Sequence, residues 1–131
     1  MATTERVLKV LIVDDELDFL ETIVKRLQVR NIEASGVDSG PKALELLNQQ
    51  DFDVVILDVK MPGMDGIETL VEMKKKKPLM PVVMLTGHAT VQSGIKGLKL
   101  GAFAYVMKPV ALDELLEKIH KAHERKLIQE G

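Results

Sequence analysis

An open α/β sheet, doubly wound with helices on both faces, is the fold class that this sequence predicts. Three observations predict it. Short apolar runs alternate with helically spaced stretches five times over, and that alternation is the mark of a βα-repeated sheet. The apolar runs lack polar alternation, which suits strands buried on both faces, as in a parallel sheet. The chain has 131 residues, the length of one domain.

Taken in order, the strand candidates are Val7–Val13, a weaker Ile32–Val37, then Asp53–Leu57, Val82–Leu85 and Ala104–Met107. Between them lie five apolar stripes at helical spacing. The first is Leu17, Leu20, Ile23, Val24 and Leu27, and the second Ala43, Leu44, Leu46 and Leu47. Ile67, Leu70, Val71 and Met73 make the third, and Val91, Ile95 and Leu98 the fourth. Leu112, Leu115, Leu116 and Ile119 make the last. Punctuation agrees: Ser39-Gly40-Pro41 offers a cap and an early proline to the second helix. Pro78 and Pro81 separate the third helix from the fourth strand, and Gly101 is placed to end the fourth helix.

Composition excludes several classes of function. Without cysteine there is no disulfide scaffold, zinc–thiolate site, iron–sulfur cluster or thiol nucleophile. Hydrophobic residues at 46% and charged residues at 29% fit a folded globular chain. A net charge of −2 and 3% aromatic residues argue against direct nucleic-acid binding. No apolar stretch approaches the roughly 20 residues of a membrane span. The start, Met1 to Val7, has no basic region followed by an apolar one, so no secretory signal is read there and a cytoplasmic location is expected. The whole of 1–131 is read as a single domain with a core at about 7–127.

Ligands of open α/β sheets bind beyond the carboxyl ends of the strands. The predicted strands end in Asp14-Asp15-Glu16, Asp58, Thr86-Gly87 and Lys108-Pro109. One edge therefore gathers carboxylates, a hydroxyl and an ammonium. Crowded carboxylates repel, and a cation among them relieves the repulsion. An oxygen-only donor set favours a hard divalent ion, Mg²⁺ before zinc. Lys108 and Thr86 supply the donors that an incoming phosphoryl group would need.

Four motifs at these strand ends carry a resemblance. They are Val13-Asp14-Asp15-Glu16; Asp58-Val59-Lys60-Met61-Pro62-Gly63-Met64-Asp65-Gly66; Leu85-Thr86-Gly87-His88-Ala89; and Tyr105-Val106-Met107-Lys108-Pro109. The chain from about Val7 to Leu127 resembles the receiver domain of bacterial two-component response regulators, a chemotaxis-regulator-like, flavodoxin-like fold. The resemblance implies the strand order 2-1-3-4-5, an order for which that chemotaxis receiver is itself the reference example.

It further implies that Asp58 accepts phosphate from a partner kinase's phosphohistidine. Asp15 would bind Mg²⁺ directly and Asp14 mostly through water, with Asp58 and the Val59 carbonyl completing the protein ligands. Thr86 would hydrogen-bond the phosphoryl group, Lys108 would pair with it, and Thr86 and Tyr105 would form the switch. Lys60 and His88 would tune the lifetime of the phosphoryl group. The implied partners are a sensor histidine kinase or phosphotransfer protein, and an output partner or fused effector domain on the face of the fourth helix, fifth strand and fifth helix. A homodimer on phosphorylation stays open. The chain is expected to catalyse only its own phosphorylation and dephosphorylation.

Plainer readings stand beside these. Asp15 or Glu16 would serve as an ordinary helix cap, and Thr86 likewise. Lys108 would be an ordinary turn lysine unless a cis bond before Pro109 aims it inward. Lys74 to Lys77 reads as a solvated run favourable to a helix dipole. His120 and His123 read as surface residues rather than metal ligands. An aspartate-nucleophile phosphatase usually has a second aspartate two positions after the first, where this chain has Lys60. A flavin-binding relative would have Ser and Thr in place of Asp14-Asp15-Glu16. A docking module that is never phosphorylated would be expected to lack one of the acids or the lysine. A stand-alone regulator and a piece of a longer regulator or hybrid kinase are both left open.

Overall fold

A computed structural model describes residues 7–59, 65–87 and 91–130. Five strands and five helices alternate along the chain. The strands are β1 (Lys9–Val13), β2 (Glu33–Val37), β3 (Val54–Asp58), β4 (Val82–Thr86) and β5 (Ala104–Met107). The helices are α1 (Leu17–Val29), α2 (Gly40–Gln49), α3 (Gly66–Lys76), α4 (Val91–Lys99) and α5 (Leu112–Glu130). The strands form one parallel sheet in the order β2-β1-β3-β4-β5, as the resemblance implies.

The sheet is wrapped on both faces because its side chains alternate. Val10, Ile12, Val54, Ile56, Val83 and Leu85 meet Leu20, Ile23 and Leu27 of α1 and Leu115, Ile119 and Ala122 of α5. Their neighbours Leu11, Val13, Val55, Leu57, Val82 and Met84 meet Ala43 and Leu47 of α2 and Leu70 and Met73 of α3. All five residues of β3 are buried, as befits the central strand of a doubly covered sheet.

The punctuation is borne out. The Ser39 hydroxyl accepts the Lys42 N–H at 3.3 Å beside Pro41 in the first turn of α2. Gly101 follows α4 with φ +110°, the left-handed conformation expected of a helix-ending glycine. The Asp65 side chain caps α3, accepting the Glu68 N–H at 2.9 Å.

Three expectations change in detail. Strand bounds shift: β3 and β4 run one residue further, to Asp58 and Thr86, while β1 starts at Lys9 rather than Val7, β2 at Glu33 rather than Ile32 and β3 at Val54 rather than Asp53. Asp53 is instead a buried acid at the strand's entrance, its carboxylate accepting the Lys9 N–H at 2.9 Å. His123, read as a surface residue, is half-buried with Nε2 3.9 Å from that same carboxylate, whereas His120 is exposed. The lysine run is not uniformly solvated either: Lys74 is half-buried and donates to the Met80 carbonyl at 3.1 Å.

Candidate functional site

Parallel register brings the strand ends together. Val13 stands opposite Leu57, Asp58 opposite Leu85, and Thr86 opposite Met107. Asp14 follows β1 directly and extends its pairing with β2, its N–H donating to the Val37 carbonyl at 3.1 Å. Asp14 and Asp58 are both buried, 1% and 5% exposed, at an edge where apolar packing has no use for a carboxylate.

Both oxygens of Asp14 are engaged. Oδ1 accepts the Glu16 N–H at 2.8 Å, and Oδ2 accepts from Lys108 Nζ at 2.7 Å. Lys108 Nζ also donates to Glu16 Oε1 at 2.8 Å and lies 4.2 Å from the centre of the Phe19 ring. The ammonium thus sits between two carboxylates and an aromatic face, where a cation–π attraction adds to the ion pairs. Burial alone would lower its pKa. The hydrogen bonds to Asp14 and Glu16, with the charges of Asp14 and Asp58, outweigh that and hold it above the ordinary lysine value.

Asp14, Glu16 and Asp58 each bring a carboxylate oxygen within 4.8 Å of the others. Three carboxylates against one ammonium leave a formal −2, and the donors are all oxygen, which suits a hard divalent cation. Asp15, expected to be the direct ligand, is half-buried and outside that group of three. Glu16 occupies the N-cap position of α1 but its side chain makes no capping bond, so its acid is not spent on the helix. The Val59 carbonyl accepts the Gly66 N–H at 2.8 Å, and a carbonyl oxygen keeps a second lone pair.

Thr86 is the last residue of β4, on the same edge. Tyr105 is half-buried in β5 and packs with the core cluster beneath α2 and α3. The Lys108–Pro109 bond is cis, as expected. Lys60, His88 and the loop Met61-Pro62-Gly63-Met64 lie outside the described residues. Glu16 stands in the first motif, but its bond to Lys108 was not foreseen there, and the Phe19 ring in the first turn of α1 was not singled out at all.

Residues 10–120 match the response regulator receiver domain family. The chain belongs to that family, the signalling modules of two-component systems. It is 36% identical over 113 residues to the transcriptional regulatory protein ZraR of Escherichia coli strain K12, covering 86% of this chain and 26% of that protein. Identity to the regulatory protein AtoC of the same strain is 38% over 107 residues, covering 82% and 23%. The chain spans about a quarter of the length of these relatives. Among solved structures, a CheY-like response regulator receiver domain protein of Methanospirillum hungatei JF-1 superposes with a TM-score of 0.90. The two are 32% identical, and the match covers 96% of this chain and 100% of that one. Among the described residues, no helix is long and apolar enough to cross a membrane.

Proposed function

We propose that residues 1–131 act as a single receiver, with its core at 7–127, that accepts a phosphoryl group on Asp58 from the phosphohistidine of a sensor kinase or phosphotransfer protein. One observation carries this reading. A buried carboxylate ends a strand that is buried throughout, with two further carboxylates and a lysine ammonium gathered beside it. In the transfer, an Asp58 oxygen forms the new P–O bond while the P–N bond to the donor imidazole breaks. The electron pair leaves with that nitrogen, which takes up a proton.

Positioning and charge neutralisation are the main demands of such a transfer. Lys108 supplies a mobile positive charge, now resting on Asp14 and Glu16 and within reach of the same edge. Thr86, the last residue of β4, would hydrogen-bond the phosphoryl oxygens, and Tyr105 would respond when Thr86 moves. The donor set fits Mg²⁺: Asp14, Asp15, Asp58 and the Val59 carbonyl would hold it, with Glu16 as a further carboxylate at its rim. Bound there, the ion supplies charge neutralisation for the incoming dianion.

Output would pass through the α4-β5-α5 face to a partner or fused effector, with a homodimer on phosphorylation as one form of it. Lys60 and His88 would set the phosphoryl lifetime. The protein would catalyse only its own phosphorylation and dephosphorylation, in the cytoplasm. Incubation with acetyl phosphate and Mg²⁺ tests the assignment by intact mass. One phosphate on the wild type and none on Asp58→Asn is the expected result; an adduct that persists in Asp58→Asn overturns it.

A further inference from the structure

At the opposite end of the sheet, where the strands begin, the last turns of α3, α4 and α5 leave a cavity of about 470 Å³. Its charged lining is of one sign, Lys74, Arg125 and Lys126, on a chain whose net charge is −2. Between these cations lie Leu79, Leu98 and Phe103, and the two leucines are 45% and 47% exposed.

The cations are unequally satisfied. Lys126 stands 4.0 Å from Asp53 and 3.8 Å from Glu130. Lys74 donates to a carbonyl, and the Arg125 guanidinium lies over the Phe103 ring at 5.8 Å. Among the described residues neither has a carboxylate within 4.0 Å. Helix polarity accounts for Lys74, in the last turn of α3, but not for Arg125, since the last turn of α5 holds no basic residue. Burial also pushes the Lys74 ammonium below its ordinary pKa, a cost that an incoming anion would relieve.

We propose that this cavity docks an acidic peptide segment of a partner protein, which places carboxylates on Lys74 and Arg125 and one large apolar side chain among Leu79, Leu98 and Phe103. Charge complementarity selects the acid. Exposed leucines between the cations select an apolar anchor over a bare anion, and the volume, within the range of roughly 300–1,000 Å³ typical of ligand clefts, suits a short segment rather than a folded surface. A side chain anchored in a desolvated pocket carries much of the binding energy of such contacts, and charge-assisted hydrogen bonds beside it add strength and direction. The site is remote from Asp58, so occupancy is independent of the phosphoryl chemistry proposed above.

A displayed library of random dodecapeptides, selected on the full chain and counter-selected on Arg125→Glu, tests this. Enriched peptides are expected to carry net negative charge and a leucine or phenylalanine. The best should bind the wild type at least tenfold more tightly than Arg125→Glu or Lys74→Gln, and equally well with Asp58→Asn. Its amide NMR shifts should centre on Leu79, Leu98, Phe103 and Arg125, and melting curves should show both variants folded. The proposal is overturned by no enrichment over the counter-selection, by neutral or basic winners, or by shifts centred elsewhere. It is equally overturned if the cavity answers to phosphatidylserine vesicles and to no peptide.

Discussion

Gly66 packs directly onto the peptide of Asp58. A Cβ on Gly66 would overlap the Asp58 carbonyl oxygen and stand 2.5 Å from Val59 Cα, and the Gly66 N–H donates to the Val59 carbonyl at 2.8 Å. The first residue of α3 is therefore docked against the strand end that carries the proposed nucleophile. What a side chain would strike there is backbone, which has no rotamer to change.

Overpacking costs about 1–3 kcal/mol and helix propensity returns about 1 kcal/mol; with backbone as the obstacle, Gly66→Ala is expected to destabilise the fold by about 1–2 kcal/mol net. The displaced Asp58 peptide should also slow labelling by acetyl phosphate. Urea unfolding and the labelling rate check the two effects. Wild-type values in both would mean that the strand end yields to a methyl group at no cost.

Lys108 already sits where a divalent cation would compete with it, 2.7 Å from Asp14 and 2.8 Å from Glu16. Two unit charges 4 Å apart near a protein surface interact by about 4 kcal/mol before screening and relaxation. For the doubly charged ion the figure is about 8 kcal/mol, so removing the ammonium should raise Mg²⁺ affinity by roughly tenfold if about a sixth of that repulsion survives. Calorimetric titration of Lys108→Ala against the wild type checks this. Equal or weaker binding by the variant would show that the lysine and the ion do not share these carboxylates.

Strands buried on both faces read plainly, since Val54 to Leu57 or Val82 to Leu85 leave no polar face for a helix or loop to expose. Asp14, Asp58 and Lys108 were legible as a cluster because parallel strands end on one edge. The partnership of Lys108 with Glu16 and Phe19 was not, because it depends on side-chain directions in the first turn of α1. Asp53 was absorbed into an apolar run. The Lys9 N–H and the His123 and Lys126 side chains that partner it come from β1 and α5, distant in sequence. The half-burial of Lys74 and His123 likewise depends on what lies beside them, the Met80 carbonyl for the one and the Asp53 carboxylate for the other.

Lys74 makes stability depend on pH in a defined direction. Burial holds its folded pKa below the ordinary value, so in that window the unfolded chain binds the proton more tightly. Its contribution to stability therefore improves as pH rises from the lowered value to about 10.4, the ordinary lysine value. Among the described residues the other charged groups lining the cavity it faces are Arg125 and Lys126, with no carboxylate to reverse the sign. Lys74→Met keeps the unbranched stem and removes the charge. The stability difference, variant minus wild type, should fall as pH climbs toward about 10.4, as urea unfolding at each pH would show. A difference that grows with pH would contradict the burial argument.

The last prediction concerns Tyr105 and α4. A Cβ on Gly94 would stand 2.9 Å from Cδ2 and Cε2 of the Tyr105 ring and 3.0 Å from its Cγ. Because Cγ is itself crowded, bending the far end of the ring cannot relieve the contact; the whole ring must turn away. Gly94→Ala gains about 1 kcal/mol of helix propensity and loses ring packing of similar size, so overall stability should change little. The ring should instead become more exposed. Tyr105 is the only tyrosine and the chain has no tryptophan, so intrinsic tyrosine fluorescence reports this one side chain. Acrylamide should quench the emission of Gly94→Ala more efficiently than that of the wild type. Under the proposed switch, beryllofluoride, a phosphoryl mimic, draws Thr86 inward and frees space for the ring. It should therefore restore part of the protection in Gly94→Ala, since the ring gains a second place to go. Equal quenching of the two proteins without beryllofluoride would mean that α4 shifts to absorb the methyl group. Gly94 would then not be what holds the Tyr105 ring in place.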